Sequence, residues 1–395
     1  MARTQVAIIG AGPSGLLLSQ LLDLAGIDNV VLERRTRQYV ESRIRAGVLE
    51  QGTADLLTRA GVDARMKREG IVHDHIGLAF GEREERIDLT AHTGASVIIY
   101  GQTEIQHDLF EARAARGGTI VFEAEDVTPL DFDTAAPRVT YRKDGLTHTL
   151  DCDVIAGCDG YHGVCRASVP ESALKTYELV YPFGWLGVLA DPPPVSPHAV
   201  TYVSNDRGFA LCSMRSMSRS RYYIQCALED DVAQWSDAAF WDELRRRLPS
   251  SLAEPLVTGA SIEKSIAPLR SFVAEPMRFG ALFLAGDSAH IVPPTGAKGL
   301  NLAAADVRVL ADALAQFYGE KDSAGLAAYS DRCLRRVWRA ERFSWQLTML
   351  THKFSDDDFN RRMQVAELDY LTSSEAGAKS VAENYTGVAL EAAEG

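Results

Sequence analysis

Hydrophobic positions fall in short continuous blocks near the start of the chain, in strand-like runs through its middle, and among charged residues in helical stretches toward its end. The first block, Gln5-Val6-Ala7-Ile8-Ile9, has the length and β-propensity of a buried strand. A glycine-rich turn, Gly10-Ala11-Gly12-Pro13-Ser14-Gly15, leads into Leu16–Ala25, which reads as a buried helix. Asn29–Leu32 reads as a second strand, ending in Glu33. Gly47–Ala60 carries apolar residues at Val48, Leu49, Leu56 and Leu57, and predicts an amphipathic helix closed at Gly61. Val97–Tyr100 predicts a strand, and Gln102–Arg116 a helix stopped by Gly117-Gly118. Alternating runs at Thr119–Glu123, Arg138–Arg142 and Leu146–Leu150, the last two joined by Asp144-Gly145, predict a hairpin. Val154–Cys158 is another buried strand, ending in Asp159-Gly160.

From Val180 to about Ile266 strand-like runs dominate: Trp185–Leu189, Val200–Val203, Phe209–Cys212 and Arg221–Leu228, with one helix near Asp237–Leu248. They predict a mostly antiparallel sheet forming a second domain inserted into the first fold. Ala281–Asp287 returns to the buried parallel-strand pattern, a helix runs from Gly296 to about Phe317, and Ser323–Glu383 reads as helical. The expected class is α/β: a Rossmann-like βαβ domain, an inserted antiparallel sheet and a helical C-terminal part.

Charge narrows the partners. A net charge of -13, from 54 acidic and 41 basic residues, argues against nucleic acid, whose binders present a basic face. Six cysteines without a CxxC pair or a zinc spacing read as buried reduced thiols of a cytosolic protein, with no metal site. The run before Gly10 is too short for a signal peptide, and no apolar stretch approaches a membrane span. A cytoplasmic location without membrane contact is therefore expected.

The order strand, glycine turn, helix, strand, acid is what a βαβ dinucleotide site requires. Gly10 permits the tight turn, Gly12 lets backbone approach a pyrophosphate, and Gly15 lets the helix pack on the strand. Glu33, eighteen residues past Gly15, is placed to accept hydrogen bonds from a ribose. A second signature pairs Gly286-Asp287 at a strand end with Gly296–Asn301 at a helix start.

Together with Cys158-Asp159-Gly160, these motifs resemble those of the FAD-dependent aromatic hydroxylases, the group A flavoprotein monooxygenases. The resemblance runs from Gln5 to Gly387, through Arg43–Gln51, Tyr181–Gly187, Ser265–Phe272 and His290–Gly299. Within the family it is similar to members that convert 4-hydroxybenzoate to 3,4-dihydroxybenzoate. In those members a nicotinamide cofactor reduces the flavin, and O2 adds to it as a C4a-hydroperoxide. The resemblance implies FAD-binding parts at 1–73, 99–175 and 269–320, substrate-domain parts at 74–98 and 176–268, and an interface region at 321–395 of a homodimer.

It also implies an FAD site at Glu33, Arg43, Ile44, Arg45, Ala46, Gly47, Val48, Gln102, Asp159, Asp287, Leu300 and Asn301. His162 and Arg270, with Arg45, match positions that hold the nicotinamide cofactor. Arg34, Arg35 and Arg37, near Tyr39, could pair with a 2′-phosphate, which favours NADPH, but this basic run departs from better-known members and leaves NADH open.

Ser213 and Arg215 lie two apart on one expected strand and so share a face. In the family these positions, with Tyr223, hold the benzoate carboxylate; pattern alone favours exposed strand residues instead, as for Arg219 and Arg221. Tyr202 and Tyr385 match a tyrosine pair at the substrate phenol, and His73 matches the outer end of that proton path. Pro294 is expected to offer its carbonyl there, and Met214 sits between the carboxylate ligands without an evident role. A related hydroxylase of another hydroxybenzoate and a non-catalytic flavin-binding sensor are the competing readings.

Overall fold

The computed structural model describes residues 2–42 and 47–388. Its nucleotide half is a six-stranded sheet in the order Arg278–Phe279, Leu282–Leu284, Val154–Gly157, Val6–Ile9, Asn29–Glu33, Thr119–Phe122. All neighbours are parallel except the first pair. Val6, Ala7, Ile8, Val154, Ile155 and Ala156 are buried, as a sheet covered on both faces demands. The helix Pro13–Leu24 packs against Gln102–Ala115 and Gly299–Glu320. Strands Glu125–Leu130, Arg138–Lys143 and Leu146–Asp151 form an antiparallel meander, with the expected turn at Asp144-Gly145.

The second half is an eight-stranded sheet ordered His290–Ile291, Ser261–Glu275, Lys175–Ala190, Arg219–Cys226, Ala210–Ser216, Val200–Ser204, His75–Phe80, Arg83–Asp88. Only Val200–Ser204 and His75–Phe80 pair in parallel. Trp185–Leu189 proves to be the buried inner half of a 16-residue strand whose outer half is largely exposed. A register shift between Val180 and Gly184 accommodates Pro182. The helices Ala324–Thr351, Asp358–Ser373 and Glu375–Thr386 close the molecule over this sheet.

Two expectations change. Val48-Leu49 is not helical: it pairs as a strand with Ile98–Ile99, and the helix is only Gln51–Arg59. Backbone pairing with a neighbouring strand outweighs the helical spacing there. The helix expected from Gly296 begins at Gly299, because Pro294–Gly296 forms a 3-10 turn and Ala297 takes a left-handed φ of 54°. The hairpin His75–Phe80/Arg83–Asp88 was not legible as strands in the sequence.

Candidate active site

The nucleotide turn is built as its glycines require. Gly10 has φ 105°, and a Cβ there would overlap the Cys158 carbonyl; one on Gly15 would overlap the Gly10 carbonyl. Gly12 precedes the helix Pro13–Leu24 with no side-chain cap, and a Cβ on it would meet nothing within 4 Å. The turn thus opens into a cavity of about 1430 Å³ that runs on into the eight-stranded sheet. That exceeds what a single small ligand fills and suits a dinucleotide plus an aromatic ring.

Glu33 is buried, with Oε2 accepting the Ala11 N–H at 2.8 Å and Oε1 accepting the Arg35 N–H at 2.8 Å. The acid therefore fixes the turn as well as lining the cavity. Gly47, Val48, Gln102, Asp159, Asp287 and Leu300 line it too. Asp159 accepts the Cys165 N–H through Oδ2 at 2.9 Å, while its buried Oδ1 has no protein partner; burial raises its pKa. An open glycine, an uncapped helix start and an orphaned carboxylate oxygen fit a nucleotide cofactor such as FAD. The turn bearing Asp287 is held by Asp306, whose Oδ2 accepts the Gly286 N–H at 2.9 Å and meets His290 Nε2 at 2.6 Å.

The Asn301 side chain is already engaged. Its Oδ1 accepts from the Glu50 N–H at 2.9 Å and Thr53 Oγ1 at 2.8 Å, and its Nδ2 donates to the Val48 and Ala297 carbonyls, each at 2.9 Å. The side chain is spent clamping the loop, which leaves only its backbone for a cofactor. Arg43, Ile44, Arg45 and Ala46 lie outside the described residues. Arg34, Arg35 and Tyr39 line the nucleotide end, Arg35 lying 5.2 Å over the Tyr39 ring. Arg37 instead pairs with Glu41 at 3.0 Å and covers the Phe110 ring. His162 and Arg270 do not line the cavity; they gather at Tyr161, at 4.9 Å and 4.6 Å from its ring, and Arg270 pairs with Glu178 at 3.0 Å.

At the sheet end, Ser213, Met214, Arg215, Tyr223, Tyr202 and Pro294 line the same cavity. Arg215 is half-buried, its Nη1 donating to the Met214 carbonyl at 2.9 Å. Its Nε has no hydrogen-bond partner and, among the described residues, it has no carboxylate partner. Burial pushes its pKa down, the direction expected of a cation that lacks a compensating anion. Ser213 Oγ donates to the Arg221 carbonyl at 2.7 Å. A register shift between Met214 and Ser216 breaks the strand alternation, so Met214 reaches the cavity wall beside the two polar residues.

Tyr202 donates to the Tyr385 hydroxyl at 3.2 Å, both residues being buried. Burial holds the Tyr202 pKa well above the usual tyrosine value and pushes that of Tyr385 up to about 12. His73 is fully buried rather than solvent-exposed, neither ring nitrogen has a protein partner, and burial, with His75 and His198, lowers its pKa to about 4. A neutral imidazole results, shielded from solvent, so direct exchange at the surface is not its arrangement. The Pro294 carbonyl already accepts the Ala297 N–H at 2.9 Å, which leaves it one lone pair.

Trp185, Arg221, Glu263 and Lys298 are among the lining residues that escaped the sequence. Arg221 is 5% exposed and pairs with Glu263 at 3.1 Å. Its spacing of two from Tyr223 on one strand was the available signal. Trp185 is fixed by donating Nε1–H to His352 Nε2 at 2.7 Å. Lys298 Nζ donates to Glu50 Oε1 at 2.6 Å and to the Tyr385 carbonyl at 2.8 Å, while Arg336 holds the other Glu50 oxygen at 2.8 Å. This buried cluster ties the C-terminal helix to the start of Gly299–Glu320.

Comparison with known proteins agrees with this geometry. A family model described as an FAD binding domain matches residues 3–344. The p-hydroxybenzoate hydroxylase of Acinetobacter baylyi is 56% identical over 391 residues, 98% of this chain and 96% of that protein. A 3-(3-hydroxy-phenyl)propionate/3-hydroxycinnamic acid hydroxylase of Burkholderia vietnamiensis is 28% identical over 83% of this chain and 59% of its own length. In fold, the chain is similar to the crystal structure of p-nitrophenol 4-monooxygenase from Pseudomonas putida, with TM-score 0.83 at 18% identity over 100% of this chain and 99% of that one. Turn, cavity and these similarities together establish that the chain belongs to the FAD-binding-domain family of group A flavoprotein monooxygenases.

Proposed function

We propose that the protein hydroxylates 4-hydroxybenzoate at C3, consuming NAD(P)H, a proton and O2 and releasing 3,4-dihydroxybenzoate, NAD(P)⁺ and water. The observation that carries this reading is one cavity, continuous with a dinucleotide turn, that is lined by an unpaired guanidinium, Arg215, and by Tyr202, whose hydroxyl is backed from outside the lining by buried Tyr385. The 56% identity to a p-hydroxybenzoate hydroxylase supports it.

FAD would be held by Gly10, Gly12 and Gly15, by Glu33, Gly47, Val48, Gln102, Asp159 and Asp287, and by the helix start at Leu300, and when bound it supplies hydride acceptance and oxygen activation. The chain's own residues do the rest. Arg215, with Tyr223 and with Ser213 once its hydroxyl turns away from the Arg221 carbonyl, takes the substrate carboxylate and so sets the ring's orientation. Tyr202 has one hydroxyl proton, which goes to Tyr385 in the structure. Turned to the substrate phenol oxygen it favours the ionised form, with Tyr385 then donating to Tyr202. In the reverse arrangement Tyr202 takes the phenol proton and passes its own through Tyr385 toward buried His73. Lys298, paired with Glu50, donates to the Tyr385 carbonyl at 2.8 Å and so holds Tyr385 in place behind Tyr202. Trp185, Leu211 and Met214 exclude water and hold the ring in place.

Arg34 and Arg35, neither ion-paired among the described residues, support NADPH over NADH, and the cluster of His162, Arg270 and Tyr161 supports a nicotinamide approach there. We assign 1–73, 99–175 and 269–320 to the nucleotide unit, 74–98 and 176–268 to the substrate unit, and 321–395 to an interface. Exposed Trp345, Met349, Phe354, Phe359 and Met363 near that end support a homodimer. Six buried free cysteines support a reducing, cytoplasmic setting, and no helix among the described residues is long and apolar enough to cross a membrane. NAD(P)H oxidation with and without 4-hydroxybenzoate, with the product identified, tests the reading. Oxidation that 4-hydroxybenzoate does not stimulate, without 3,4-dihydroxybenzoate, overturns it.

A further inference from the structure

The carboxylate end of the cavity holds two guanidiniums, not one. Arg215 and Arg221 both line it, and Arg221 adds to burial in depressing the Arg215 pKa while Glu263 opposes it, so the two cations and the carboxylate feel one another. Left bare, such a pair would suit a dianion. Only Arg221 has a carboxylate: Glu263, at 3.1 Å from Nη1 and 3.5 Å from Nη2. Arg221 and Glu263 stand opposite the same residue, Leu189, from the strands on either side of it, and the ion pair reaches across that central strand. Gly187, two residues along, makes room for it: a Cβ there would press the Tyr223 ring and lie 3.1 Å from Arg221 Nη2. Ser265 Oγ donates to Glu263 Oε1 at 3.0 Å and fixes the carboxylate in that pose.

We infer that Glu263 is a specificity-determining residue, which neutralises Arg221 so that the pocket presents one unpaired cation and therefore admits a single carboxylate. The pocket floor counts two cations and one anion, a net of one positive charge matched to a monocarboxylate. A ligand with a second carboxylate beside the first would have to compete with Glu263 for Arg221 and would meet Glu263 itself. Glu263 thus excludes by repulsion what Arg215 alone would not distinguish. This rests on the proposed binding of 4-hydroxybenzoate through Arg215.

The test compares 4-hydroxybenzoate with 4-hydroxyphthalate, which carries a second carboxylate ortho to the first, by calorimetric titration of the FAD-loaded protein. Three variants set the floor charge: Glu263→Gln raises it by one, Arg221→Gln lowers it by one, and the double variant restores it. Replacing the whole buried pair by amides strands no charge, so the double variant keeps the test alive where one single variant is unstable. The ratio of the 4-hydroxyphthalate Kd to the 4-hydroxybenzoate Kd should fall about tenfold or more in E263Q and rise in R221Q, as a charge a few ångströms away dictates. In the double variant it should return to within about threefold of the unmodified protein, about 0.7 kcal/mol. A ratio that stays flat across variants of different charge, or a double variant that keeps a single variant's altered ratio, overturns the inference. Failure of the unmodified protein to bind 4-hydroxybenzoate overturns the proposed function instead, and this inference with it.

Discussion

Arg215→Ala is the most direct test of how the cavity recognises its substrate. The guanidinium is half-buried on a strand, its Nε meets no protein partner, and it carries no ion pair among the described residues. A substrate carboxylate supplies what it lacks. Removing the side chain leaves that carboxylate buried beside Ser213, whose hydroxyl proton is already given to the Arg221 carbonyl at 2.7 Å. Breaking one side of a buried ion pair costs about 3–5 kcal/mol. At about 1.4 kcal/mol per decade, that is a rise of about two to three and a half decades in the Kd for 4-hydroxybenzoate. Arg221 cannot fill the gap without leaving Glu263, so the loss is not repaired locally. Titration calorimetry on the FAD-loaded variant measures it, with 4-hydroxybenzaldehyde as a neutral control that should weaken by less than about threefold, under 1 kcal/mol. Arg215→Lys keeps the charge but not the fork, and should fall between the two. Equal losses for both ligands, or a change below about threefold for 4-hydroxybenzoate, about 0.7 kcal/mol, would place Arg215 outside recognition and refute the reasoning.

Tyr385→Phe removes the acceptor of the 3.2 Å bond from Tyr202. It should leave the 4-hydroxybenzoate Kd nearly unchanged while slowing product formation about tenfold or more, in the range of lost proton-transfer assistance. Product yield per NADPH reads it out, and an unchanged yield counts against the relay. Gly187→Ala puts a methyl against the Tyr223 ring and near Arg221. Stability should drop by about 1–3 kcal/mol from overpacking, with KM for 4-hydroxybenzoate rising more than kcat falls; an unaffected KM refutes the crowding. His73 has a folded pKa of about 4 against a reference of 6.5. Above the reference value both states are neutral; as pH falls through 6.5 the unfolded chain takes up a proton that the folded chain refuses. Stability should therefore decline toward pH 4, by about 2 kcal/mol at pH 5 from this group. His73→Gln should flatten that slope in urea unfolding at pH 7 and 5, and an unaltered slope would mean that the imidazole titrates freely when folded.

The parts of the fold that were legible in the sequence are those whose cause is local. A glycine turn between an apolar strand and an apolar helix announces itself because Gly10 must adopt φ 105° and Gly15 must lie on backbone, and no neighbour elsewhere in the chain is needed to see it. The antiparallel runs were visible for the same reason, through alternation and turns. Val48-Leu49 misled because its partner, Ile98–Ile99, lies some fifty residues away and decides the conformation. The helix start moved to Gly299 because the left-handed Ala297 belongs to a tight turn that apolar spacing does not encode.

The candidate site divides along the same line. Arg215 and Ser213 could be paired because spacing of two sets a common face, yet nothing local distinguished them from Arg221, which looked like one more surface arginine. What separates the three is assembly: Glu263 approaches from a strand two places away and Gly187 clears the space between, so Arg221 is spoken for and Arg215 is not. His73 has the same origin, since burial by distant elements, rather than its own polar neighbours, turns it into a neutral base. Residue type proposes the chemistry of this cavity, but which charge is left unpaired is a property of the sheet. For that reason a substitution at Glu263 is expected to alter substrate choice and one at Gly187 to weaken substrate binding, although neither residue suggests catalysis in the sequence and neither is itself expected to meet the substrate.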